Sequence, residues 1–182
     1  MRRMNPLTPE QALVVLNAVA LPTLQAEHPL TERVIAAIPT GKGDYRPDDV
    51  GRSALDLAWH IVTAENRFLE AVASGAFDLT PLPRPDTVRT AADVNAWYAP
   101  RFSTLVNRLK QLSGEQLTRT IDFRGIFQLP AIAYATLAVN HTIHHRGQLT
   151  TYLRPMGAKV PSIYGESYDA RMEREARQSV QA

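Results

Sequence analysis

The chain has no cysteine in 182 residues. That removes disulfides, thiolate metal ligands and cysteine nucleophiles from any account of its activity. It also lacks an excess of one charge. Lys+Arg number 20 and Asp+Glu 18, for a formal net charge of +2, and no block of consecutive basic residues occurs beyond Arg2-Arg3. A surface that tracks phosphates needs clustered positive charge, so nucleic acid is not an expected partner. Long apolar runs are missing too. None approaches the ~20 residues that span a bilayer, so no membrane partner is expected either. Strand signals are nearly absent. What is present is 45% hydrophobic and 21% charged residues, a globular composition with enough apolar mass for one sizeable core.

The N-terminus imitates a secretory signal: Arg2-Arg3, the apolar stretch Ala12 to Leu16, then Ala18-Val19-Ala20. Thr8-Pro9-Glu10-Gln11 argues against that reading. Thr8 as N-cap, Pro9 in the first turn and Gln11 three residues after the cap make a helix start with a capping box. A cytoplasmic protein is the expectation.

Four helical stretches follow. The first runs from Thr8 to about Ile38, and Pro22 and Pro29 are expected to kink or break it. The second opens at Ser53, with Asp56 as capping-box partner, and ends at Gly75. Residues 80–90, with Pro81, Pro83 and Pro85, form a linking loop. The third starts at Thr90, with Asp93 as its box partner, bends at Pro100 and ends near Leu112. Residues 115–129 read as irregular, with Phe123, Ile126 and Phe127 tucked inward. The fourth begins around Pro130 and stops at Pro155-Met156-Gly157. From Glu166, charges at i,i+4 spacing (Arg171 with Glu175, Glu173 with Arg177) mark a surface helix or a frayed tail. The fold class expected is all-α, an up-and-down or crossover four-helix bundle, with residues 1–165 as one domain and 166–182 as a tail.

The five histidines are His28, His60, His141, His144 and His145. On a helix His141 and His145 stand about 40° and about 6 Å apart. They share the stripe Tyr134, Ala138, His141, His145, Leu149 and Tyr152, the apolar and inward side. His60 lies in Leu57-Ala58-Trp59-His60-Ile61-Val62, where a buried imidazole needs a partner. One imidazole in a core is more often a packing residue than a ligand. Three that face one core can hold a metal if the second and fourth helices are neighbours. His144 is displaced from that face, and His28 is a bystander.

The stretch His141-Thr142-Ile143-His144-His145-Arg146-Gly147-Gln148-Leu149, continuing to Gly165, resembles the closing motif of the DinB-like family. Leu57-Ala58-Trp59-His60-Ile61 with Glu65 resembles its helix-two motif, and Ile38-Pro39 with Asp44-Tyr45-Arg46-Pro47-Asp48 resembles one branch. The resemblance covers roughly residues 27 to 165. It implies a four-helix bundle with crossover loops, a homodimer, and a divalent metal held by His60, His141 and His145. The family name refers to damage-induced expression, not to DNA binding.

Three neutral imidazoles with open positions define a catalytic pattern of site. Zn, Ni, Fe and Mn all suit imidazole. Relatives in the family include bacillithiol S-transferases and a mycothiol-dependent isomerase, so the resemblance implies thiol chemistry on a small-molecule substrate. Without cysteine, a low-molecular-weight thiol would have to be the co-substrate. Residues with weaker claims to support the metal or line a pocket are His144, Glu65, Arg146, Gln148 and Tyr152. Asp56 is a further candidate near His60. Gly147 is expected to permit close helix approach, and Trp59, Phe68 and Trp97 to belong to the core. Three function classes stay open: a metal-dependent thiol S-transferase, a metal-dependent hydrolase, and a non-enzymatic stress-response bundle.

Overall fold

The structure, a computed structural model, describes residues 6–181, and Arg2-Arg3 lie outside them. The elements in order are α1 (Pro9–Val15), a π-helical turn (Leu16–Ala20), α2 (Leu21–Ala36), α3 (Ala54–Ser74), α4 (Ala91–Leu109), α5 (Gly114–Thr118), β1 (Thr120–Phe123), β2 (Phe127–Pro130), α6 (Ala131–Leu153) and α7 (Tyr168–Gln181).

The helix starts follow from their caps. Thr8 and Gln11 form the expected capping box, as do Thr90 and Asp93. Ser53 also caps α3, accepting from the Asp56 amide. Asp56 does not close a box there. Its carboxylate instead takes the Ser53 hydroxyl at 2.7 Å and Arg84 Nε at 2.8 Å, fastening the proline loop to α3.

Proline breaks neither the first nor the third stretch. The helical path runs from Pro9 to Ala36 through a π turn, with Pro22 in the first turn of α2 and Pro29 inside it. Pro29 and Pro100 both lie on solvent-facing sides, where water can satisfy the carbonyl that each leaves free.

α2, α3, α4 and α6 form the bundle. α3 packs on α6 and α4, and α2 packs on the same two helices. α2 and α3 are therefore diagonal, as are α4 and α6. The connections 37–53 and 110–130 cross the bundle's ends, which makes this an all-α fold with two crossovers. The core includes Leu24, Val34, Leu57, Ile61, Leu69, Tyr98, Tyr134 and Leu149.

Residues 115–129 are more ordered than their sequence indicates. They form α5 and an antiparallel hairpin that pairs Thr120 with Pro130 and Phe123 with Phe127. Its turn places Arg124 and Gly125 at φ 58 and 68, a type I′ geometry that glycine favours. Ile126 and Phe127 are not tucked inward but are 66% and 47% exposed, and Ile121 is the hairpin residue that enters the core. The tail is a surface helix. Arg171–Glu175 and Glu173–Arg177 pair at 3.9 and 3.7 Å, and Asp169 accepts from Arg154 and the Val160 amide.

Candidate metal centre

α3 and α6, the most intimately packed pair of the bundle, carry the three histidines to one place. His60 projects from the middle of α3, and His141 and His145 from successive turns of α6. One nitrogen of each lies within 4.8 Å of those of the other two. His60 Nε2 and His145 Nε2 are 3.3 Å apart. That distance is the edge of a tetrahedron with metal–nitrogen bonds of about 2.0–2.1 Å.

Hydrogen bonding fixes the orientation of one ligand. His145 Nδ1 lies 2.9 Å from Gln148 Oε1, and Gln148 Nε2 donates to Tyr152 OH at 3.3 Å. An amide oxygen only accepts, so Nδ1 carries the proton and Nε2 keeps its lone pair. Tyr152 is steadied in turn by the edge of Tyr45, 5.8 Å away in the connection before α3. His141 Nδ1 is buried with no hydrogen-bond partner among the described residues. A buried nitrogen without a partner and three converging imidazoles are what a metal ion would resolve, so the residues present fit a divalent ion.

The electrostatics keep the imidazoles neutral. Burial, followed by the charge of Arg52 and the neighbouring imidazoles, pushes His60 down to about 4. Burial and the other two α6 histidines push His141 down to about 4. His145 is lowered by burial, against the opposing hydrogen bond it donates to Gln148. Among the described residues no carboxylate joins this group. A divalent ion here would keep its full charge, beside the cations of Arg52 and Arg67.

The remaining sequence candidates separate. Gln148 and Tyr152 belong to the site. His144 is exposed and touches it only through His145, with ring centroids 4.8 Å apart. Glu65 and Arg146 point elsewhere, into the bundle. Glu65 is fully buried, accepting from Tyr98 OH and, at 3.1 Å, from Thr142 Oγ1. Burial raises its carboxyl to about 7 against those hydrogen bonds. Arg146, 1% exposed, pairs with Glu27 of α2 at 2.6 Å and locks α2 to α6. Gly147 does not serve close approach: a Cβ there would meet nothing within 4 Å. Trp59 is core, while Phe68 and Trp97 are half-buried at its edge. His28 stacks on Phe102 at 3.9 Å and is not part of the triad. Arg52 escaped the sequence reading, because nothing local marks an arginine before an N-cap as facing two distant histidines.

The sequence matches the DinB family over residues 15–177. It is 31% identical over 130 residues to the uncharacterized protein YjoA of Bacillus subtilis strain 168, covering 70% of this chain and 82% of that one. The crystal structure of the B. subtilis DinB-like protein YjoA superposes with a TM-score of 0.65 at 26% identity, covering 79% of this chain and 96% of that one. A DinB-like protein from Bacillus cereus ATCC 10987 shares the fold, with a TM-score of 0.67 at 24% identity over 80% of this chain and 95% of that one.

Proposed function

The chain belongs to the DinB family, and on that premise we propose that it is a metal-dependent enzyme that transfers a low-molecular-weight thiol to a small electrophile. His60, His141 and His145 would be the ligands. A divalent ion bound there would supply Lewis acidity, lowering the pKa of an incoming thiol so that it reacts as its anion at neutral pH.

The observation that carries the reading is the donor set. Three neutral imidazoles contribute no negative charge, and Arg52 and Arg67 add positive potential at His60. Such a site favours an anionic exogenous ligand. In a chain without cysteine, a thiol anion must come from outside. The residues' own tasks are plain. Gln148, braced by Tyr152, holds the His145 ring in its ligating tautomer. Burial keeps the imidazoles unprotonated, and Arg52 attracts the anion to the mouth of the site.

The cytoplasm, where small thiols stay reduced, is the compartment this chemistry requires. No helix of the described residues is long and apolar enough to cross a membrane. A homodimer is part of the same reading and is checked by sedimentation equilibrium. A role in stress defence would follow from removal of electrophiles.

The test is metal analysis of protein purified without a histidine tag, joined to turnover of a chlorinated dinitrobenzene with and without added thiols. About one equivalent of divalent metal, lost in His145→Ala, together with thiol-dependent turnover, is expected. Less than about a tenth of an equivalent would refute the metal assignment. Thiol-independent turnover would instead favour hydrolysis by activated water.

A further inference from the structure

A cavity of about 370 Å³ lies between α3, the 75–90 loop and α4. Its α3 wall carries Thr63, Arg67 and Glu70, which fall within about 80° of His60 around the helix. Its outer wall is the loop Asp78–Leu82, and α4 closes it with Trp97, Arg101, Leu105 and Arg108. Three contacts hold that loop in place. Trp59 Nε1 donates to the Leu82 carbonyl at 3.1 Å, Arg67 donates to the Thr80 carbonyl at 2.7 Å, and Arg84 grips Asp56 at 2.8 Å. The cavity is therefore built into the fold, and its volume falls in the range of small-molecule sites.

Its walls combine apolar surface from Pro81, Leu82 and Leu105 with an uneven distribution of charge. Glu70 is consumed by Arg108, which donates to both carboxylate oxygens at 2.8 and 2.6 Å. Arg67 is turned to a backbone carbonyl. Arg101 lies over the Trp97 ring, 4.3 Å from its centroid, and among the described residues donates only to the Trp97 carbonyl at 3.0 Å. Among the described residues neither Arg67 nor Arg101 has a carboxylate within ion-pair distance. With Asp78 as the remaining acid, the lining holds one positive charge in excess.

We propose that this cavity binds a small monocarboxylate with an apolar body. Arg101 would take the carboxylate, and Pro81, Leu82 and Leu105 would cover the body. The guanidinium presents a planar fork that matches a carboxylate, and Trp97 already holds it flat, so little freedom is lost on binding. A neutral molecule of the same shape would leave that fork unmatched, and a dianion would exceed the charge of the lining. The site goes beyond the metal reading and needs no ion.

The experiment titrates the full-length, 15N-labelled protein with benzoate and with benzamide in the presence of a chelator. The readout is the indole N–H signals of Trp59 and Trp97, the two tryptophans of the chain. Saturable shifts of both with benzoate are expected, with benzamide at least about tenfold weaker and Arg101→Gln weakening benzoate about tenfold. Arg101 is exposed, so an unchanged unfolding midpoint would show that the variant folds. Benzamide binding as well as benzoate, no effect of Arg101→Gln, or no saturation by about 10 mM would each overturn the proposal. Because the titration is done without metal, such a failure leaves the histidine assignment standing, and an empty histidine centre leaves this cavity standing.

Discussion

Arg146→Met tests a buried ion pair inside the bundle. The wild-type guanidinium is 1% exposed, pairs with Glu27 Oε2 at 2.6 Å and donates to Tyr164 OH at 2.6 Å. It also donates to Thr31 Oγ1 at 3.2 Å and to the Glu27 carbonyl at 3.3 Å. Methionine fills most of the volume but leaves the Glu27 carboxylate, itself 8% exposed, with only the Tyr164 hydroxyl at 2.9 Å. Removing one partner of a buried pair costs about 3–5 kcal/mol, because the surviving charge has lost its solvent and gained nothing. That is a large share of a typical total stability of about 5–15 kcal/mol. At about 2–4 °C per kcal/mol for a chain of this size, Tm should fall by roughly 6–20 °C. Replacing both partners, as Glu27→Leu with Arg146→Met, removes the stranded charge and should recover all but about 2 kcal/mol. Urea unfolding of the wild type, both single variants and the double variant measures the cycle. A cost below about 1 kcal/mol for Arg146→Met, or a double variant as unstable as that single one, would refute this account of how α2 is held to α6.

Glu65 should make stability fall with rising pH. Its folded-state carboxyl is raised to about 7 from 4.5, so its burial is harmless below pH 4.5 and costs more as pH climbs through 7. Glu65→Gln should therefore gain on the order of 3 kcal/mol relative to the wild type between pH 5 and 9, read from urea midpoints at each pH. A difference that does not change with pH would refute it. Gln148→Ala should weaken metal affinity about 10–100-fold with all three histidines in place, measured by competition with a chelating dye, because the His145 tautomer is no longer fixed. Gly147→Ala should stabilise the protein by about 0.5–1 kcal/mol, since the position is helical, exposed and open, and thermal melts will show the sign.

The parts of the fold legible in the sequence were those decided locally. Thr8, Ser53 and Thr90 announce helices because a cap hydrogen bond spans three residues. His141 and His145 announce a shared face because helical geometry alone sets their angle. The hairpin was hidden because four-residue strands with one buried side chain carry no alternation to detect. Pro29 does not end α2, because a proline's cost depends on whether the freed carbonyl meets water, which is a property of the packed helix. Glu65 and Arg146 sit inside the histidine motifs, yet their partners Tyr98 and Glu27 come from distant segments. Proximity in sequence therefore suggested a role at the metal where the fold assigns one in the core. Trp97 looked like filler because no local pattern shows that Arg101 lies across it at the edge of a cavity.

The π turn at Leu16–Ala20 bears on which length changes the first helical stretch can accept. Among its buried residues, Ala12, Leu16, Ala20 and Leu24 form a row at every fourth position, a spacing that a regular α-helix would carry steadily around its axis. The wider turn absorbs one surplus residue and keeps all four on the bundle side. Deleting a single exposed residue there, such as Ala18, would leave a four-three-four spacing, which an ordinary α-helix already satisfies. A one-residue deletion at this turn thus leaves the inward face of the first helical stretch intact. The same event in α3 or α6 would rotate His60, or His141 with His145, by about 100° and dismantle the triad.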